Sequence, residues 1–239
     1  MSRPFIFLLG LILGGVCGAG SISWWIAWQQ KNARPKLPPH FENAPLARLP
    51  FDGTWQIAQG GDEESQNGHH GLLAQNLAMD IVKVDSRGRR TREGGDRGKN
   101  EGYLSWAQPL YSPTDGTVVI ATDGIPDNLP GDMNGQMVYG NSVMIRCPSG
   151  CVVVMAHFKN GSVVRKKGDQ VHAGDLLGLC GNSGHTREPH LHIQVQSESG
   201  YEKGVALRPV FRSLVLNGKP AQDYSPVKSD IVANPNQAP

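Results

Sequence analysis

Charge of one sign is what this 239-residue chain lacks: 23 Lys and Arg stand against 21 Asp and Glu, a formal net charge of +2. Without a basic surplus nothing in the composition argues for a nucleic-acid partner. Cysteine is scarce, at four residues. Cys147 and Cys151 flank Pro148-Ser149-Gly150, but no second cysteine pair completes a sulfur metal site. Lying between two Val/Ile-rich runs, the pair reads instead as a disulfide stapling a hairpin tip in an oxidising compartment. Cys180 reads as a small buried residue, and Cys17 falls in an apolar N-terminal run. A long helical period is missing from Gly116 onward, which argues against a helical domain. In its place short Val/Ile runs alternate with turns in a chain of 30 glycines and 17 prolines, the pattern of an all-β, turn-rich fold.

What is present begins with a membrane signal. Arg3 precedes an uncharged, apolar run from Phe5 to Trp28, and about 20 such residues suffice to cross a bilayer as a helix. Trp24, Trp25 and Trp28 cluster at its far end, where an interfacial aromatic belt would sit. Residues 1–28 are therefore read as a transmembrane anchor or a signal. Gly18-Ala19-Gly20 is the candidate cleavage site, and Cys17 is the candidate for a lipoprotein signal. Each reading sends the rest of the chain out of the cytoplasm, anchored in the inner membrane or secreted after cleavage. Residues 29–50 carry five prolines, from Pro35 to Pro50, and read as a linker. A domain is expected over 51–215, with a mobile charged loop at 85–102 and a polar, disordered tail at 216–239. Strands are expected near 77–84, 116–120, 141–145, 152–156, 162–164, 176–177 and 190–195.

The most informative stretch is Pro189-His190-Leu191-His192-Ile193-Gln194-Val195. On a strand, side chains alternate faces with a period of two, so both imidazoles emerge on one side while Leu191, Ile193 and Val195 face a core. Imidazole is both a metal ligand and a general acid/base near neutral pH. Asp80 lies within the apolar run Leu77 to Val84, and carboxylates are rarely buried unless paired or metal-bound. His69 and His70 lie in a loop about ten residues before it, and His157 ends a strand beside the Asn160-Gly161 turn. Two histidines and an aspartate make the open, three-ligand set that a catalytic zinc needs. Further imidazoles beside it could stabilise an oxyanion and shuttle protons.

The order His69…Asp80…His157…His190-Leu191-His192 resembles the LytM, or lysostaphin-type, zinc metallopeptidases, which cleave peptide bonds in bacterial peptidoglycan. The resemblance runs from about Asn67 to Val195. It includes Tyr111 to Val119, Asp123 to Asn128, Gly140 to Val143, Ala156-His157-Phe158, Gly168 to Gly174 and Gly181 to Gly184. It implies an antiparallel β-sheet sandwich or half-barrel, the duplicated hybrid motif of that family, preceded here by the N-terminal transmembrane helix. It implies one zinc per chain held by His69, Asp80 and His192, with His157 and His190 as non-ligand catalytic histidines and peptidoglycan peptides as substrate. Many family members carry the first metal histidine four residues before the aspartate, where this chain has Asn76. Asn67-Gly68-His69 with Gln75 and Ala78-Met79-Asp80 resembles a subgroup with a longer insertion. His70 stays open as the alternative first ligand. Two other readings compete: a catalytically inactive LytM-type regulator of another wall hydrolase, and a non-enzymatic lipoyl-like carrier. The regulator is disfavoured by a candidate for every ligand, and the carrier leaves the histidines unexplained.

Overall fold

A computed structural model describes residues 42–235. Within them the chain forms β1 (Asn43–Leu46), β2 (Trp55–Gln59), β3 (Met79–Lys83), β4 (Pro109–Tyr111), β5 (Gly116–Thr122), β6 (Asn141–Arg146) and β7 (Val152–Phe158). These are followed by β8 (Gln170–Val171), β9 (Leu176–Leu179), β10 (Leu191–Gln196), β11 (Ala206–Leu216), β12 (Lys219–Tyr224) and β13 (Ile231–Ala233). The described residues hold no α-helix, only a 3-10 turn at Asn100–Gly102, and no helix long and apolar enough to cross a membrane. The segment read as an anchor lies outside the described residues.

Eleven strands form one sheet in the order β1-β11-β13-β2-β3-β10-β7-β6-β5-β8, with β12 added on β11. β10 also pairs with β11, so β11, β13, β2, β3 and β10 close a barrel-like ring. β4 and β9 make a separate two-stranded ladder. All pairings are antiparallel except β1 with β11. The strands at 77–84, 116–120, 141–145, 152–156, 176–177 and 190–195 form as the alternation predicts; Ser162–Val164 does not, and runs as irregular chain.

Alternation divides the sheet into two faces. Val143 and Ile145 on β6, Val153 and Met155 on β7, Met79 and Ile81 on β3, and Leu191, Ile193 and Val195 on β10 enter the main core with Phe51, Trp55 and Phe211. The opposite face carries a smaller apolar cluster of Tyr139, Met144, Val152, Val154 and Ala156, beside the polar side chains of β10. The histidines lie on that second face.

Three expectations are corrected. The linker ends sooner than its prolines suggest: Ala44, Leu46 and Leu49 are buried, and β1 adds to β11. As far as the described residues run, the tail is ordered after Leu216, because β12 and β13 pair with β11 and β13 also pairs with β2. Val232 and Ala233 are buried, Ala221 and Tyr224 pack against the main core, and the flanking strands supply the rest of the ladder. Cys147 and Cys151 are free thiols. The backbone N–H of Cys147 donates to the Cys151 carbonyl at 2.8 Å, which closes the hairpin without a sulfur bridge.

Candidate metal centre and active site

Register builds the site. In the β3–β10 ladder Asp80 stands directly opposite His192, so the two side chains leave the sheet on the same face. The carboxylate and imidazole meet there: Asp80 Oδ1 is 3.0 Å from His192 Nδ1. His69 arrives from the loop before β3. That loop is held by the buried Asn67, whose Nδ2 donates to the carbonyls of Gly61, Asn76 and Ala78, while its Oδ1 accepts the His69 N–H. The loop delivers His69 Nε2 to 3.1 Å from Asp80 Oδ2. One ligand atom each from His69, Asp80 and His192 lie within 4.8 Å of one another; His70 is outside this group.

A backbone device supplies the third imidazole. On simple alternation His157 would follow Val153 and Met155 into the main core. Instead it is an extra residue: Ala156 pairs with Ser142 and Phe158 with Asn141, leaving His157 as a bulge at φ 65°. The bulge passes the core position to Phe158 and turns His157 onto the face of His190 and His192, a usual role for bulges beside functional sites. The ring centroids of His157 and His190 are 4.8 Å apart. His157 Nδ1 donates to the Ser183 carbonyl at 2.8 Å. His190, just before β10, turns Nδ1 to the Glu188 carbonyl at 2.9 Å and Nε2 toward Asp80 Oδ1 at 3.5 Å. Each ring therefore spends its Nδ1–H on a backbone carbonyl, leaving Nε2 for chemistry.

The electrostatics follow from this crowding. Burial by itself raises the Asp80 carboxyl, but the imidazoles of His190 and His69 and a hydrogen bond from His190 outweigh it, and hold the group well below its ordinary value. His157 is pushed well below the usual imidazole value by burial and by the neighbouring His190 and His192. His190 moves the other way. Burial pulls it down, yet the Asp80 carboxylate and the Glu188 carbonyl raise it above 6.5.

The residues present fit a cation. Both ring nitrogens of His192 face acceptor oxygens: Nδ1 faces Asp80 Oδ1, and Nε2 lies 2.9 Å from Gln194 Oε1. A neutral imidazole has one N–H and can satisfy only one of them. A metal among His69, Asp80 and His192 resolves the conflict, and an N/N/O donor set suits zinc.

The group opens on a cleft of about 810 Å³, whose lining includes Leu72, Tyr103, Met133, Val138, His157 and His190. Sequence reasoning missed several of its features. The loop at 85–102 is tied to the cleft wall, since Arg90 Nη1 meets Glu188 Oε1 at 3.1 Å. His185 also lines the cleft, and His172 is exposed. Gln194 went unremarked, although its two-residue spacing from His192 was a visible signal.

Comparison with known proteins gives a family match over part of the chain. The family model "Peptidase family M23" matches residues 103–209, a span that holds His157, His190 and His192 but neither His69 nor Asp80. The cell division protein DipM of Caulobacter vibrioides is 30% identical over 88 residues, which is 37% of this chain and 12% of that protein. A putative glycyl-glycine endopeptidase lytM from Ruminococcus gnavus is 22% identical, covering 82% of this chain and 70% of that one at a TM-score of 0.39. The catalytic domain of lysostaphin from Staphylococcus simulans is 24% identical, covering 47% of this chain and 80% of that one at a TM-score of 0.33.

Proposed function

We propose that this chain, whose residues 103–209 match the model of peptidase family M23, is a zinc-dependent endopeptidase that hydrolyses peptide bonds in bacterial peptidoglycan, in stem peptides or cross-links. The observation that carries the reading is the convergence of His69, Asp80 and His192 within 4.8 Å in the cleft that also holds His157 and His190. The first three residues hold the metal, and the other two act on the substrate. The apolar run 5–28 supports an extracytoplasmic location, with the membrane as the anchoring partner.

When bound, zinc supplies Lewis acidity toward a peptide carbonyl and acidifies a water. The protein's own groups do the rest. Asp80, kept anionic by the imidazoles around it, offsets the metal's charge. His157, neutral and carrying its Nδ1–H to Ser183, presents a basic Nε2. His190, raised by Asp80, holds a proton it can give to a developing oxyanion or a departing amine. Two like groups with opposed shifts divide acid from base. The Arg90–Glu188 pair links the 85–102 loop to the segment that carries His190.

The test is digestion of purified peptidoglycan by the protein with and without a chelator, followed by identification of the released peptides. New amino termini that disappear with chelator and return with zinc are expected. Undiminished cleavage after complete metal removal would overturn the assignment.

A further inference from the structure

The polar face of β10 does not end at the histidines. His192, Gln194 and Gln196 follow one another at two-residue spacing, and Gln194 and Gln196 are 1% and 0% exposed. Two glutamines so enclosed cannot trade their partners for bulk water, and each amide must find its donors and acceptors inside the protein.

We propose that Gln194 and Gln196 form a polar ladder that fixes His192 in its Nε2–H tautomer and so commits Nδ1 to the metal. The proposal rests on the metal reading given above. The direction of the ladder follows from its far end. Gln196 Nε2 lies 2.6 Å from the Glu198 carbonyl and 2.7 Å from the Gly200 carbonyl. Carbonyls only accept, so the NH2 end of Gln196 must face them, and its Oε1 must face back along the strand. There it meets Gln194 at 2.6 Å, and Gln194 must answer with its own NH2. The Ala74 carbonyl, 3.3 Å from the same Nε2, imposes the same orientation. The remaining end of Gln194, Oε1, then faces His192 Nε2 at 2.9 Å and accepts its proton.

An imidazole with its proton on Nε2 has its lone pair on Nδ1, the atom turned toward Asp80. Tyr139 does not compete for the role: its hydroxyl is 3.5 Å from Gln194 Oε1 and donates to Glu202 at 2.7 Å. The carbonyls of Glu198 and Gly200, in the turn that leads into β11, thereby set the protonation pattern of a metal ligand through two amides. Gln194 and Gln196 are positioning residues, since neither reaches the metal group.

The test uses the purified chain and two readouts independent of peptidase activity. One is zinc affinity by competition with a chromogenic chelator. The other is the His192 tautomer in metal-free protein, by long-range nitrogen–proton NMR correlation. Wild type should show His192 protonated on Nε2. Gln194→Met removes the acceptor, and Gln196→Met frees the Gln194 amide to turn. Both should lose the single tautomer and bind zinc about 10–100-fold more weakly, the usual cost of an outer partner. Wild type that binds no zinc overturns the metal reading itself. Wild type that binds zinc, with Gln194→Met and Gln196→Met matching it in affinity and tautomer, overturns the ladder alone.

Discussion

Ending the chain at Leu216 should destabilise the protein severely, although the residues removed are mostly polar. β13 stands between β11 and β2 in the ring that also contains the strands of Asp80 and His192. Its loss opens that ring and uncovers Trp55, which is fully buried and paired with Val232. Val232 is itself fully buried, worth about 1.5–3 kcal/mol. Asn234 accepts from Leu49 N at 3.0 Å and donates to the carbonyls of Leu49 at 3.2 Å and Phe51 at 2.6 Å. Each such bond contributes about 1 kcal/mol, and orphaning its buried backbone partner costs about 1–3. The combined loss is roughly 5 kcal/mol, comparable to the whole stability of many domains at about 5–15 kcal/mol. At about 2–4 °C per kcal/mol for a domain of this size, the midpoint should fall by roughly 10–20 °C. Thermal unfolding of the full chain and of the chain ending at Leu216, each metal-free, measures it. Asn234→Ala alone, which removes three of these bonds at about 1 kcal/mol each, should take roughly half or more of that drop. Equal midpoints for the two chains would refute the structural role of the tail and restore a dispensable one.

Three further outcomes bear on the site. Asp80→Asn keeps shape but removes the anion that three imidazoles face; zinc affinity by chelator competition should drop by about 100-fold or more, His69→Ala should do the same, and His70→Ala should leave zinc bound. His157→Ala and His190→Ala should lower turnover roughly 100-fold or more with zinc retained; loss of zinc from both would show that they are ligands. The pH profile should be a bell. Protons compete with metal for imidazole nitrogen in acid, so activity climbs from about pH 5 to pH 7. His190, which the Asp80 carboxylate raises, loses its proton on the alkaline side, which brings activity down again. Initial rates across pH 5 to 9, with zinc content measured in parallel, test this, and a flat profile with zinc retained throughout would refute it.

The cast of the site was legible because its signals are local. Period two put His190 and His192 on one strand face, and an aspartate within an apolar run demanded a partner wherever the chain folded. Strand alternation likewise gave the central strands, since it needs no knowledge of their neighbours. The tail was misread for the converse reason. β12 is largely polar and β13 is only three residues long, and both are strands because β11 and β2 offer them ladders. Tertiary structure decided the rest through pairings remote in sequence. Asp80 meets His192 across 112 positions because β3 and β10 pair in that register. Asn67 folds the loop so that His69 faces the carboxylate and His70 does not, a choice invisible in two adjacent identical residues. Alternation alone would bury His157 in the main core; one unpaired residue opposite β6 turns it into the cleft. The sequence thus determined which groups could bind a metal and move protons, because composition and period are properties of the local chain. Only the tertiary structure decided which of them meet, because register, bulges and ring closure are set by strands that find each other across the chain.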